Sequence, residues 1–292
     1  MLRSSNPILS KKDAFTPAAP GQQYGQGYGQ GYGQQFAPQG YGQPGYGQQY
    51  DPYGQQLGTP YGSGPVDSGA RMTFDDVITK TAIVLGLLML SAAVSWLLIP
   101  VSLMLPALVL SALVGFVAVM IVSFRRRVSP PLVFAYAIIE GVFIGMLSKV
   151  FESFYDGIVV QAVIGTFAAA GVTLAAYKIF NIRVTPKFRK IVFLSTIGFA
   201  VAMLINFVFS LFGARLGLVG GVTGAISPLM ILVSAVGVVL AVLNLVLDFD
   251  YIERGVAMGA PASESWRGAF GLTVTMVWLY VEILRLLSYI RR

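Results

Sequence analysis

Seven apolar segments of transmembrane length follow one another between Val77 and Ile290, and the charged residues lie almost entirely between them. A helix needs about 20 predominantly apolar residues to cross the hydrocarbon core of a bilayer, and each segment reaches that length. The composition agrees, with 55% hydrophobic residues, 11% charged residues and a mean hydropathy of +0.72. We therefore predict an all-α polytopic membrane protein.

The apolar pattern places the boundaries of the spans to within a few residues. The predicted spans are Val77–Ile99, Leu103–Phe124, Pro131–Lys149, Ile158–Phe180, Ile191–Phe212, Pro228–Leu247 and Phe270–Ile290. Because only the string VSLMLP separates the first two apolar cores, these two spans should form a tight helical hairpin. Residues 71–292 are thus predicted to form one transmembrane domain.

Residues 1–70 have a different composition, with loose YGQ repeats and few aliphatic side chains between Gly21 and Gly64. Such a segment cannot bury enough apolar surface to offset the entropy of ordering, so we predict a disordered tail. It is either a plain flexible tail or a tyrosine-rich segment that self-associates or binds a partner. The start MLRSSNPILSKK lacks the apolar core of a signal peptide, and we expect the tail to be dispensable for the membrane fold.

The basic residues predict the orientation. Fifteen of the twenty Lys and Arg residues fall on the side of the N-terminus if all seven segments span. Cytoplasmic loops carry such an excess, which predicts a cytoplasmic N-terminus and an external C-terminus. The net charge of +7 is explained by these clusters at span ends, and no nucleic-acid partner is expected.

The chain has no cysteine and no histidine. This excludes disulfides, thiolate metal sites, imidazole catalysis and haem ligation by His or Cys. Proton switching near neutral pH would have to use carboxylates whose pKa is raised.

Small residues recur at helical spacing within the spans, including Gly141 with Gly145, Gly165 with Gly171, and Ser234 with Gly237. In a bilayer, small residues let helix backbones approach closely. We interpret them as packing positions and not as a ligand site.

Three carboxylates at membrane depth are the candidates for an ion path or gate: Glu140, Asp248 and Glu282. Charged groups in hydrocarbon are costly unless they have a partner or face a water-filled path, so they mark functional sites. Glu140 has no basic neighbour within a turn, whereas Glu282 lies three residues before Arg285 at a spacing that permits an ion pair.

Asp248 ends a small and polar stripe on the sixth span, formed by Gly237, Ala241, Asn244 and Asp248. Asp248 is either a gate residue or an interfacial charge. Its neighbours Asp250 and Glu253 are predicted to be interfacial charges solvated by headgroups and water.

Four features resemble the Bax inhibitor-1 family in its bacterial branch: the seven spans, the third segment PLVFAYAIIEGVFIG, the string VLDFDYIERG, and the seventh span WLYVEILRLL. The resemblance covers roughly residues 71–292. It implies six helices around a central seventh, a location in the bacterial plasma membrane, and a pH-sensitive calcium leak gated by two aspartates. Asp248 matches the aspartate of the sixth helix, which also makes it a possible metal ligand for transported Ca²⁺.

This chain has no aspartate at the position of the family's second aspartate. Aligning LRLL with the end of the family's seventh helix places Leu279 at that position, with Glu282 one turn further along. Glu282 could substitute if it approaches Asp248. The family also implies a basic residue near the end of the second helix, and Arg125, Arg126 and Arg127 are all open for that role.

Two carboxylates held close in a low dielectric share a proton, and once deprotonated they can bind a hard cation such as Ca²⁺ through oxygen. The predicted function is a calcium leak of this kind, with no bound cofactor. The first alternative is a non-conducting regulator that binds another membrane protein, such as a membrane protease. An intramembrane enzyme using the three carboxylates is disfavoured, because no nucleophile lies at a defined spacing from them.

Overall fold

The structure is a computed structural model, and it describes residues 70–125, 128–180, 182–213, 216–220 and 225–291. The predicted tail lies outside the described residues apart from Ala70. The described part of the chain forms seven helices: α1 (Phe74–Leu98), α2 (Val101–Phe124), α3 (Pro130–Glu152), α4 (Ile158–Ile179), α5 (Pro186–Leu211), α6 (Pro228–Ala257) and α7 (Glu264–Ile290). All seven are long and apolar enough to cross a membrane, which confirms the predicted number and order of spans.

Two helices extend well beyond the apolar segments that predicted them. α6 continues ten residues past Leu247 to Ala257, and α7 begins at Glu264, six residues before the predicted start at Phe270. The charges in these extensions support a helix, since Asp250 and Arg254 form an ion pair at the i,i+4 spacing. Hydropathy alone marks the membrane-embedded part of a helix, not the helix itself.

The seventh helix is the centre of the bundle, as predicted. Half of the apolar window of α7 is buried, more than in any other described helix. It packs directly against α1, α3, α4 and α6. α2 packs along α3 and α5 packs along α6, so α5 remains largely exposed, with Val192 its only buried residue.

The contact between α1 and α3 depends on small residues. A Cβ atom added to Gly141 would lie 2.5 Å from the carbonyl oxygen of Leu88, and one added to Gly145 would overlap Ala92 and Ser95. The Ser91 hydroxyl also donates a hydrogen bond of 2.7 Å to the carbonyl of Ile138. The packing role predicted for Gly141 and Gly145 is confirmed.

Gly171 differs from these two glycines. An added Cβ there would meet nothing within 4 Å, because this part of α4 faces outward. The packing interpretation is wrong for this glycine.

The predicted basic side is assembled at one end of the bundle. Lys80 of α1 forms an ion pair with Asp76 at 2.7 Å and donates a hydrogen bond to the carbonyl of Ala262 in the α6–α7 connection. The backbone N–H of Met72 donates to the carbonyl of Ala260 in the same connection. The start of α1 is therefore fixed to the α6–α7 connection, and we call this end of the bundle the basic end.

At the opposite end of the bundle, the side chain of Lys149 on α3 caps the C-terminal end of α1. Its Nζ donates hydrogen bonds of 2.8 Å to the carbonyls of Trp96 and Ile99, which are left without helical partners there. Lys149 was one of the five basic residues predicted outside the basic side, and it has a capping role.

Candidate functional site

A cavity of about 660 Å³ lies between α2, α3, α5 and α7 and reaches the α5–α6 connection at Val219 and Gly220. Two of the three candidate carboxylates, Glu140 and Glu282, line this cavity together with Arg285. The other polar side chains on its wall are Tyr136, Thr196, Asn206 and Ser210. We call it the carboxylate cavity.

Glu282 is only 2% exposed and forms an ion pair within α7. Arg285 donates from Nη1 to both carboxylate oxygens of Glu282, at 3.0 and 3.1 Å, so the pairing predicted from their spacing is confirmed. On the other side Glu282 packs on α6, where a Cβ atom added to Gly237 would lie 2.7 Å from the Glu282 Cδ. The small residue at 237 makes room for this carboxylate.

Glu140 has a different environment. Its carboxylate lies over the backbone of α2, where a Cβ atom added to Gly115 would be 2.8 Å from Oε2. Among the described residues, none forms an ion pair or hydrogen bond with Glu140, whereas Glu282 has Arg285. The carboxylate of Glu140 therefore remains available to a ligand in the cavity.

Asp248 lies in the interface between α6 and α7 and does not line the carboxylate cavity. Its Oδ2 accepts a hydrogen bond of 2.7 Å from the hydroxyl of Thr275, and its Oδ1 faces Gly271. Thr275 precedes Glu282 by two helical turns, about 10 Å along the axis of α7. The structure thus gives Asp248 and Glu282 separate partners and does not bring them together, while it places Glu140 and Glu282 in one cavity.

Two polar side chains, Thr196 and Asn244, lie between the wall of the carboxylate cavity and the helix that carries Asp248. Thr196 lines the cavity, and its hydroxyl accepts a hydrogen bond of 2.7 Å from the side-chain amide of Asn244. Asn244 is one turn before Asp248 on α6, in the stripe predicted from the sequence. On the cavity wall, the rings of Phe199 and Trp278 stack with their centroids 5.6 Å apart.

The prediction for Asp250 is wrong, because the structure buries it with 6% exposure. Its carboxylate pairs with Arg189 of α5 at 2.7 Å and with Arg254 of its own helix at 3.0 Å. Arg254 also donates to the carbonyl of Val184, which joins α6 to the segment before α5. The i,i+4 spacing to Arg254 was the one signal in the sequence, and nothing pointed to Arg189.

Glu253 also has a specific partner, since its carboxylate accepts a short hydrogen bond from the Tyr177 hydroxyl of α4.

Of the three arginines predicted as basic partners at the end of α2, only Arg125 belongs to the described residues. Arg125 is exposed at the end of α2, and no described ion pair joins it to Glu140, Asp248 or Glu282. Arg126 and Arg127 lie outside the described residues. Over the described ranges, no three carboxylates are grouped as a metal site, so Asp248 as a metal ligand stays a prediction.

Six helices around a buried α7, with carboxylates at membrane depth, define a polytopic membrane protein with an acidic internal cavity. A sequence model of the family described as Bax inhibitor 1 like matches residues 6–292, so the chain belongs to this family. A comparison with curated proteins gave no match.

Proposed function

We propose that this protein is a pH-sensitive leak pathway for Ca²⁺ or similar cations. The observation that carries the proposal is the carboxylate cavity, in which Glu140 has no described partner and Glu282 is held by Arg285. A carboxylate in hydrocarbon is tolerated where it has a partner or faces a water-filled path. The cavity wall carries two carboxylates and the side-chain amide of Asn206, whose oxygen atoms are ligand types that Ca²⁺ prefers.

The pathway we propose runs from the carboxylate cavity past Thr196 and Asn244 to Asp248 and the basic end. Phe199 and Trp278 lie on the cavity wall and would restrict passage in the closed state. Protonation removes the negative charge that attracts a cation, so the leak should increase as the pH rises and the carboxylates ionise. In this mechanism Arg285 limits the net negative charge of the cavity.

The proposal includes a plasma-membrane location with the N-terminus in the cytoplasm, and neither an enzymatic activity nor a bound cofactor. Ca²⁺ enters it as the transported ion.

The test is calcium flux into liposomes that contain the purified full-length protein, measured between about pH 6 and pH 8, where buried carboxylates can titrate. Glu140→Gln and Glu282→Gln should each lower the flux at the high end of this range. Because both side chains line one cavity, the double variant should lose less than the product of the two single effects. Asp248→Asn should flatten the pH profile.

Asp75→Asn is the matched control, since it also neutralises a carboxylate but lies exposed at the start of α1. It should leave flux and pH profile unchanged. A flux in Glu140→Gln equal to that of the wild type would contradict the cavity as the pathway. Absence of flux in the wild type would instead favour the non-conducting regulator.

A further inference from the structure

A second cavity, of about 380 Å³, lies at the basic end of the bundle between the start of α5 and the extension of α6. Its wall is formed by Pro186, Arg189, Lys190, Phe193 and Arg254. Three of these five side chains are cationic, and two of the three, Arg189 and Arg254, pair with the carboxylate of Asp250. We call it the basic cavity, and the pathway proposed above does not use it.

Asp250 occupies only part of the hydrogen-bonding capacity of the two arginines. Arg189 donates to it from Nη2, and Arg254 donates from Nε and Nη2. Arg254 also donates from Nη2 to the carbonyl of Val184. A guanidinium carries five N–H donors in a fixed plane, so donors remain on both groups, those of Arg254 on Nη1. The side chains of Arg189 and Arg254 are 48% and 47% exposed, whereas that of Asp250 is 8% exposed. Asp250 is thus the buried partner of two guanidinium groups that are themselves about half exposed.

The surroundings of the basic cavity are apolar. Phe193 is 59% exposed and belongs to its wall, and the same turns of α5 expose Ile191 and Leu194. Among the described helices α5 packs mainly along α6, and most of its residues are exposed, so its outer face is available to lipid. A ligand that fits must therefore carry an anionic group next to apolar chains. Guanidinium and ammonium groups that converge at the end of a transmembrane helix are suited to a phosphate.

We propose that the basic cavity binds the phosphate of an anionic glycerophospholipid, with the acyl chains lying along the outer face of α5. Arg189, Lys190 and Arg254 supply the contacts to the phosphate. The carboxylate of Asp250 competes with that phosphate for the two guanidinium groups and so sets the strength of binding. The site goes beyond the proposed leak, because lipid binding can be measured whether or not the protein conducts.

The chain contains no cysteine, so a single Ile191→Cys substitution gives one labelling position beside the basic cavity. The full-length protein, labelled there with a fluorophore, is placed in phosphatidylcholine vesicles. Spin-labelled phosphatidylglycerol or spin-labelled phosphatidylcholine is then added as a quencher. Phosphatidylglycerol should quench at a several-fold lower mole fraction than phosphatidylcholine.

Lys190→Gln and Lys187→Gln are the matched pair. Both remove one exposed charge from the start of α5, but only Lys190 lines the basic cavity. Lys190→Gln should weaken the preference for phosphatidylglycerol about fivefold, as expected for one basic contact near the membrane surface, and Lys187→Gln should weaken it less. Equal losses in the two variants would overturn the proposal, since they would indicate general surface attraction.

Asp250→Asn tests whether the carboxylate of Asp250 competes with the lipid phosphate for the two guanidinium groups. Removing the internal carboxylate frees the guanidinium groups, so the preference for phosphatidylglycerol should increase, a gain that misfolding would not produce. A preference that is unchanged or lower in a folded Asp250→Asn protein would overturn the role of Asp250. Inorganic phosphate at millimolar concentration should not displace the lipid, and complete displacement would overturn the lipid site in favour of a free-anion site.

Discussion

Asp248 has one clear side-chain donor in the described structure, the hydroxyl of Thr275. The two residues join α6 to α7 at a buried position, since Thr275 is 8% exposed. A buried acceptor that loses its donor suffers a desolvation cost of about 1–3 kcal/mol. The stability of the α6–α7 interface should therefore depend on the hydroxyl of Thr275.

Thr275→Val keeps the shape of the side chain but removes the hydroxyl. It should lower the free energy of unfolding by about 1–3 kcal/mol, because the carboxyl group of Asp248 stays buried without its donor. Thermal unfolding of the purified protein in detergent measures the effect. Thr275→Ser is the control and should retain most of the stability, since it keeps the hydroxyl. Equal stability of the Val variant and the wild type would mean that Asp248 has another donor.

The individual charges were the hardest part to predict from the sequence. The ion pair between Glu282 and Arg285 could be predicted from the sequence, because both residues lie on one helix three residues apart. The burial of Asp250 was not, since its partner Arg189 lies on another helix, 61 residues away. For the same reason, the common cavity of Glu140 and Glu282 depends on how α3 and α7 pack, which local spacing does not encode.

Among the elements, α1 and α3 form the tightest pair in the bundle. Their contact is close because Gly141 and Gly145 of α3 present no side chain to the backbone of α1. Lys149, further along α3, then binds the carbonyls at the end of α1. The small-residue spacing predicted such a contact, although it did not identify α1 as the partner.

Gly141→Ala should strongly destabilise the protein. The new methyl group would lie 2.5 Å from a backbone carbonyl that cannot rotate away, so α1 and α3 would have to separate. Overpacking of this kind costs about 1–3 kcal/mol or more. Gly171→Ala is the matched control on α4, and it should be neutral or slightly stabilising because the added methyl group meets nothing and alanine favours a helix. Thermal unfolding of both variants in detergent tests this, and equal midpoints would contradict the close approach.

At the scale of the whole molecule, hydropathy predicted the seven spans and their order, because it depends on segment length and composition. The central position of α7 was implied by the family resemblance. The sequence also predicted which basic residues share a side. The structure brings Lys80 of α1 next to the α6–α7 connection, and it joins Arg189 of α5 to Arg254 of α6. The grouping in sequence and the grouping in space therefore agree.

This agreement leads to a prediction about orientation. Basic residues concentrate on the cytoplasmic side, so the α6–α7 connection should lie in the cytoplasm and the end of α7 outside. A topology reporter inserted at Ser263 should be active in the cytoplasm, and one fused after Arg292 should be active outside the cell. Because the chain lacks cysteine, Ser263→Cys and Ser153→Cys provide an independent measurement in intact cells. A membrane-impermeant maleimide should label only Ser153→Cys, which lies at the opposite end of the bundle after α3. Labelling of both cysteines, or reporters active on one side only, would mean that one apolar segment is re-entrant and does not span.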